Sequence, residues 1–225
     1  MNQSVTHVTP PSAATKDRIL DAAERLFAEN GYDGTSLRMI TAAAGVNLAA
    51  VNYHFHSKES LIEAVYRRRI GPVNAKRLAM LGECEAAAGN GAVPLEDILR
   101  ALVAPLLELS TEEGTGVDMR RLMGRMYVES GERVRRFLSE LMGEIARRFT
   151  SALARALPEL PFVELLWRMN FAVGVVVHSL AGRYHLEMLA GGSRVPGDPG
   201  ENVERMVAFI AAGFRAPVST GTGKG

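Results

Sequence analysis

Apolar side chains in the first thirty residues recur at helical spacing: Ile19, Ala23, Leu26 and Phe27 share one face, while Asp17, Arg18, Asp21 and Arg25 point elsewhere. Steps of three and four mark an amphipathic helix that must bury one stripe. Thr15 reads as its cap and Asn30-Gly31 as its stop, so the spacing predicts a helix of about 15 residues. Residues 1–14, polar and carrying Pro10 and Pro11, are expected to be a disordered tail. After the turn Tyr32-Asp33-Gly34, Thr35 is expected to cap a second helix over 36–44, with Leu37, Ile40 and Ala44 inward. Gly45-Val46 interrupts it, because glycine adopts the left-handed backbone that ends a helix and the valine can plug the corner. A short third helix is predicted over 47–54. Ser57 caps a fourth that begins Lys58-Glu59-Ser60-Leu61 and is expected to bend or break at Gly71-Pro72.

Beyond Gly89-Asn90-Gly91 the helical period continues over 94–109, 117–129, 131–157, 161–190 and 200–214, between Gly- and Pro-containing loops. No run alternates with period two over the length of a strand. The predicted fold class is all-α: an N-terminal three-helix unit over 15–60, a larger helical domain over 61–214, and a flexible tail over 215–225.

Charge changes this picture little. The net charge of the 225 residues is +1, and residues 1–77 carry ten Lys and Arg against seven acids. Any nucleic-acid contact must therefore rest on geometry, since a basic patch is lacking. Cys84 is the single cysteine, which excludes an internal disulfide and fits a reducing compartment. His7, His54, His56, His178 and His185 do not fall at ligand spacing, so neither a metal nor a cofactor is expected. The longest charge-free apolar stretch, between Arg168 and Arg183, falls short of the ~20 residues that span a bilayer. With no signal-like N-terminus either, the chain is expected to be cytoplasmic with no membrane partner. No Gly-rich phosphate loop or Gly-x-Ser-x-Gly elbow occurs, so catalysis is not expected.

The second and third helices around Gly45-Val46 have the proportions of a helix-turn-helix, in which the first braces on the DNA backbone and the second enters the major groove. Val51 and Phe55 lie four apart and can pack on Ile40 and Val46, leaving Asn47, Leu48, Ala49, Asn52 and Tyr53 toward the groove. An Asn can pair with adenine, and Leu or Ala can touch a thymine methyl. The plainer alternatives are that Tyr53 packs on the fourth helix and that Lys58 is an ordinary solvated charge. Arg67-Arg68-Arg69 is expected to be a solvated or acid-pairing face in preference to a DNA contact.

The stretch from Thr15 to Val46, followed by Tyr53-His54-Phe55 and Ser57-Lys58-Glu59-Ser60-Leu61, resembles the amino-terminal domain of the tetracycline-repressor (TetR) family. About 50 of the 225 residues carry the likeness. The resemblance implies a homodimer whose recognition helices read a palindromic double-stranded DNA operator, and a larger domain that binds a small-molecule effector and dimerises. It implies phosphate contacts from Thr35, with Ser36 beside it, and from Tyr53, His54 and Lys58, with base contacts from exposed positions of the third helix. Two positions depart from the pattern: Asn52 stands where an aromatic residue is common, and Leu48 where many members carry a polar or basic one. Both favour amide and apolar readout over basic readout.

For the effector, the candidates are Leu122, Met123, Met126 and Tyr127, together with Trp167, Phe171, Val175 and His178, which recur every three or four residues. Methionine suits loosely shaped apolar ligands, although the same stripe is what a plain core displays. An apolar or amphipathic effector is expected. Gly174, Ala181 and Gly182, with Val203, Met206, Val207 and Ile210, are candidates for a four-helix dimer interface or for an intramolecular core. Two rival readings remain: a non-specific DNA-binding protein, which would need a strongly basic chain, and a ligand-binding module that has lost DNA contact.

Overall fold

In the computed structural model, which describes residues 11–109, 132–180, 184–193, 195 and 198–218, every regular element is a helix. The described helices are α1 (Pro11–Asn30), α2 (Leu37–Ala44), α3 (Leu48–Phe55), α4 (Lys58–Ala88), α5 (Leu95–Leu109), α6 (Glu132–Ala156), α7 (Phe162–Leu180), α8 (Tyr184–Leu189) and α9 (Pro199–Arg215). The helix expected over 117–129 lies outside the described residues.

Several boundaries differ from expectation for physical reasons. α1 begins at Pro11, so residues 11–14, assigned to the tail, are helical and Thr15 sits inside the helix. Proline suits a first helical position because the N–H it lacks would have no partner there. Ser36, not Thr35, caps α2, accepting from the Met39 N–H at 3.2 Å. α4 runs for 31 residues straight through Pro72, where a break was expected. Pro72 cannot donate to the Arg68 carbonyl, but Ile70 and Val73 on either side are buried, and that packing carries the helix past the missing bond. Within the segment expected as one helix over 161–190, the described residues form α7 and α8.

Two hydrophobic cores organise the chain. The first joins Ile19 and Phe27 of α1, Ile40 of α2, Val51 and Phe55 of α3, and Leu61 and Val65 of α4. Val134 and Phe137, from the distant α6, complete it. The second surrounds α5, whose residues 101–107 are all buried, as expected of a helix apolar all round. Phe149 and Leu153 of α6, Leu165 and Ala172 of α7, and Val207 and Ile210 of α9 close around it. α4 and α6 therefore belong to both cores.

Polar ties lock these helices together. The nearly buried Glu24 carboxylate of α1 accepts from Arg68 Nη2 at 2.6 Å and Arg69 Nε at 2.8 Å, both from α4. Arg68 reaches Asp21 as well, at 2.7 Å. Burial works against the charge on Arg68, but the bonds to Glu24 and Asp21 outweigh it and hold the guanidinium pKa above its ordinary value. Farther along α4, the buried Arg77 donates through Nε to the Leu102 carbonyl of α5 at 2.7 Å and through Nη1 to Asn74 Oδ1 at 3.2 Å. Asn74 in turn donates to the Leu141 carbonyl of α6 at 3.1 Å. Arg168 donates to the Phe214 carbonyl at the end of α9 at 2.6 Å and lies 3.6 Å from Glu164.

Glu24→Ala would leave two partly buried guanidinium groups without their carboxylate, so we expect a loss of ~2–3 kcal/mol of folding stability. Chemical denaturation checks this; a loss below ~0.5 kcal/mol would show that the α1–α4 clamp contributes little.

Candidate nucleic-acid interface

α2 ends in a corner closed by its backbone. Gly45 adopts φ 63°, in the left-handed region, and the Val46 N–H reaches the Thr41 carbonyl at 3.0 Å. The chain can then enter α3 at once, with Asn47 as cap: its Oδ1 accepts from the Ala50 N–H at 2.9 Å. At the far end His56 also takes a positive φ of 63°, which turns the chain sharply into α4. Ser57 caps that helix, accepting from the Ser60 N–H at 3.1 Å.

Between these corners α3 shows two faces. Val51 and Phe55 are buried on the core side. Asn47, Leu48, Ala49, Asn52 and Tyr53 are exposed, Leu48 by 45% and Tyr53 by 76%. That exposure removes the alternative in which Tyr53 packs on α4. His54 is half-buried between the Tyr53 ring, edge-on at 5.0 Å, and the Phe55 ring at 6.1 Å. Ser36 is exposed at the start of α2. Lys58, the first residue of α4, holds its Nζ 4.1 Å from the centre of the Tyr32 ring, a cation–π contact that fixes it in place. The Tyr32 hydroxyl donates to Glu59 Oε1 at 2.8 Å. Of the Arg67–Arg69 triplet, two members pair with acids, and Arg67 lies over the Phe137 ring at 5.2 Å.

Thr35 is not on this surface. It is buried, and its hydroxyl proton is shared between the Gly31 carbonyl at 2.8 Å and the Leu26 carbonyl at 3.0 Å. The Leu26 carbonyl lies near the end of α1 and the Gly31 carbonyl just past it. Thr35 thus ties the start of α2 to α1, with its hydroxyl turned inward and not toward the exposed face. Arg38 is exposed on α2 and did not figure among the predicted residues. The signal for it was the inward pair Leu37 and Ile40, which turns position 38 outward.

The predicted effector residues separate. Leu122, Met123, Met126 and Tyr127 lie outside the described residues. Val175 is half-buried against the larger core, and His178 is exposed. Trp167 and Phe171, expected to line a cavity, are instead exposed by 54% and 61%, their rings stacked 5.9 Å apart on the outer face of α7. Phe162, Val163 and Leu166 of α7 and Phe209 of α9 are exposed as well. Val203, Met206, Val207 and Ile210 pack inside the larger core, so the inter-subunit reading of those four does not hold. Among the described residues no three His, Cys, Asp or Glu side chains converge as metal ligands, and no helix is long and apolar enough to cross a membrane.

Known proteins share this arrangement. Residues 19–65 match the bacterial regulatory proteins of the tetR family, and residues 100–213 match the tetracyclin repressor-like C-terminal domain. The biofilm operon icaADBC HTH-type negative transcriptional regulator IcaR of Staphylococcus aureus is 48% identical over 48 residues, which cover 21% of this chain and 26% of IcaR. The chain thus spans about a quarter of the length of the curated relatives it matches. Among solved structures, the fatty acid degradation regulator FadR from Bacillus halodurans superposes with a TM-score of 0.66 at 18% identity, over 93% of this chain and 100% of that one. FadR from Bacillus subtilis, solved in complex with stearoyl-CoA, gives 0.59 at 14% identity over 88% and 98%. At such identities the structural likeness is one of fold. Both halves are matched, the larger over more than half of the chain, and the chain belongs to the TetR family of bacterial regulatory proteins.

Proposed function

We propose that this chain is a transcriptional repressor that binds a palindromic operator as a homodimer and leaves it when a small apolar or amphipathic effector occupies the larger domain. The observation that carries this reading is α3: an exposed row of Leu48, Ala49, Asn52 and Tyr53 on a short helix whose other face is anchored by Val51 and Phe55. Asn47, Leu48, Ala49 and Asn52 meet base edges, while Ser36, Tyr53, His54 and Lys58 meet phosphates that set the register. Repression is supported by the name of IcaR, a negative transcriptional regulator.

The dimer rests on the apolar outer face of α7 and α9. Phe162, Leu166, Trp167, Phe171 and Phe209 leave more apolar surface open than a solitary subunit tolerates well. Two copies of this helix pair make a four-helix interface with two-fold symmetry. The symmetry sets the α3 helices one DNA turn apart, about 34–36 Å, so that they enter successive major grooves. Effector binding favours another spacing, and α6, shared by both cores, carries the change to the DNA-binding half. An effector with a long apolar chain is supported by the similarly folded FadR, which was solved with stearoyl-CoA.

Tyr53→Ala and Lys58→Ala are expected to weaken binding to all DNA by about tenfold each, whereas Asn52→Ala changes sequence preference. Titration of a promoter fragment with each variant checks this, and normal binding by all three would remove α3 from the interface. Trp167→Glu combined with Phe171→Glu should give a monomer in light scattering; a persistent dimer would place the interface elsewhere. Stearoyl-CoA at a hundred times its Kd should stabilise the chain by about 2.7 kcal/mol and release DNA. No change in either melting temperature or operator affinity would exclude this effector class.

A further inference from the structure

We infer that the base pairs read by this chain are A·T pairs, with thymine methyls met by Leu48 and Ala49 and an adenine edge met by Asn52. The inference rests on the DNA-binding role proposed above and concerns what that surface can recognise. α3, with the sequence Leu-Ala-Ala-Val-Asn-Tyr-His-Phe, carries neither Lys nor Arg. The commonest specific contact in the major groove, Arg or Lys to the O6 and N7 acceptors of guanine, is therefore not available from this helix.

What α3 does present is apolar at one end and an amide at the other. Leu48 is 45% exposed, and Ala49 beside it is exposed. The thymine methyl is the one apolar group on a major-groove base edge, so it is the natural partner for both. Asn47 and Asn52 differ in what they offer. Asn47 Oδ1 is held by the Ala50 N–H, so the cap fixes the Asn47 amide in one orientation and it is not free to turn toward an adenine edge. Adenine pairing needs a donor and an acceptor from one amide, to meet N7 and N6–H together. Asn52 is exposed, and no side-chain hydrogen bond occupies its amide among the described residues. It lies four residues after Leu48, on the same face and about 6 Å along the helix, the span of roughly two base steps.

Basic groups near the surface are placed for other work. Lys58 is held over the Tyr32 ring, and Arg68 and Arg69 are bound to acids. Arg38 on α2 is an exposed cation of the kind a guanine contact would require, which gives the test its opposing arm.

The full chain is used to select duplexes from a random pool, and the enriched duplex is then synthesised in two altered forms. Deoxyuridine replaces thymine in one, which deletes the methyl and keeps the pairing. In the other, 7-deazaadenine replaces adenine, which deletes the N7 acceptor. The expected result is an affinity loss of about fourfold per contacted methyl, and about fifteenfold when both half-sites are changed. Leu48→Ala should shrink the difference between thymine and uracil duplexes, and Asn52→Ala should abolish the sensitivity to 7-deazaadenine. Equal binding of the thymine and uracil duplexes would overturn the inference while leaving the DNA-binding role intact. So would a required guanine whose preference disappears in Arg38→Ala. A pool from which no sequence is enriched would overturn the DNA-binding role itself.

Discussion

An isolated helix of eight residues is not stable in water, because the cost of fixing its first turn is never recovered over so short a length. α3 is such a helix, and it persists because it is held from beneath and at both ends. Val51 and Phe55 sit in a core with Ile40 and Leu61, so the neighbouring helices provide the burial that α3 cannot provide for itself. Asn47 closes the leading turn, and the positive-φ residue His56 turns the trailing one directly into a new cap at Ser57. Every side chain on the outer face owes its direction to those anchors. Thr35 acts one layer further back: by binding the Leu26 and Gly31 carbonyls around the end of α1 it fixes where α2 begins, and with it the corner from which α3 departs.

Much of this was legible in the residues. The Ala44-Gly45-Val46 corner announces itself because a left-handed position favours glycine, and the spacing of Val51 and Phe55 identifies the buried side of α3 without a structure. Other features depend on contacts distant in sequence and were misread. Thr35 and Ser36 are adjacent hydroxyl residues with similar capping propensity; the Gly31 and Leu26 carbonyls, four and nine positions away, decide which turns inward. α7 is apolar nearly all round, so its period could not distinguish Leu165, Ala172 and Val176, which face the core, from Trp167 and Phe171, which face out. Pro72 reads as a helix breaker from local chemistry and is overruled by packing. The buried Arg77 left no trace in any periodicity, because its partners are main-chain carbonyl and amide oxygens brought there by the fold.

α6 joins the two halves physically. Its beginning, at Val134 and Phe137, is part of the core beneath the DNA-binding helices, and its end, at Phe149 and Leu153, is part of the core around α5. Arg67 lies on Phe137 at the first junction, and Asn74 with Arg77 bonds to the backbones of α6 and α5 at the second. A displacement of α6 cannot be absorbed within one core alone, since close-packed interiors rearrange between discrete packings in preference to deforming smoothly.

The clamp at Glu24 has a consequence beyond the attachment of α1 to α4. By engaging Arg68 and Arg69 internally it withdraws two cations from the surface, in a chain whose net charge is only +1. Attraction to arbitrary duplex scales with the number of phosphates a protein neutralises, and a chromosome offers an immense excess of arbitrary duplex. A regulator of low net charge loses little of its population to that background. On the reading proposed above, occupancy of one genuine site is then set by how well α3 fits the bases, and a few copies per cell suffice where a more basic protein would be diluted along the genome.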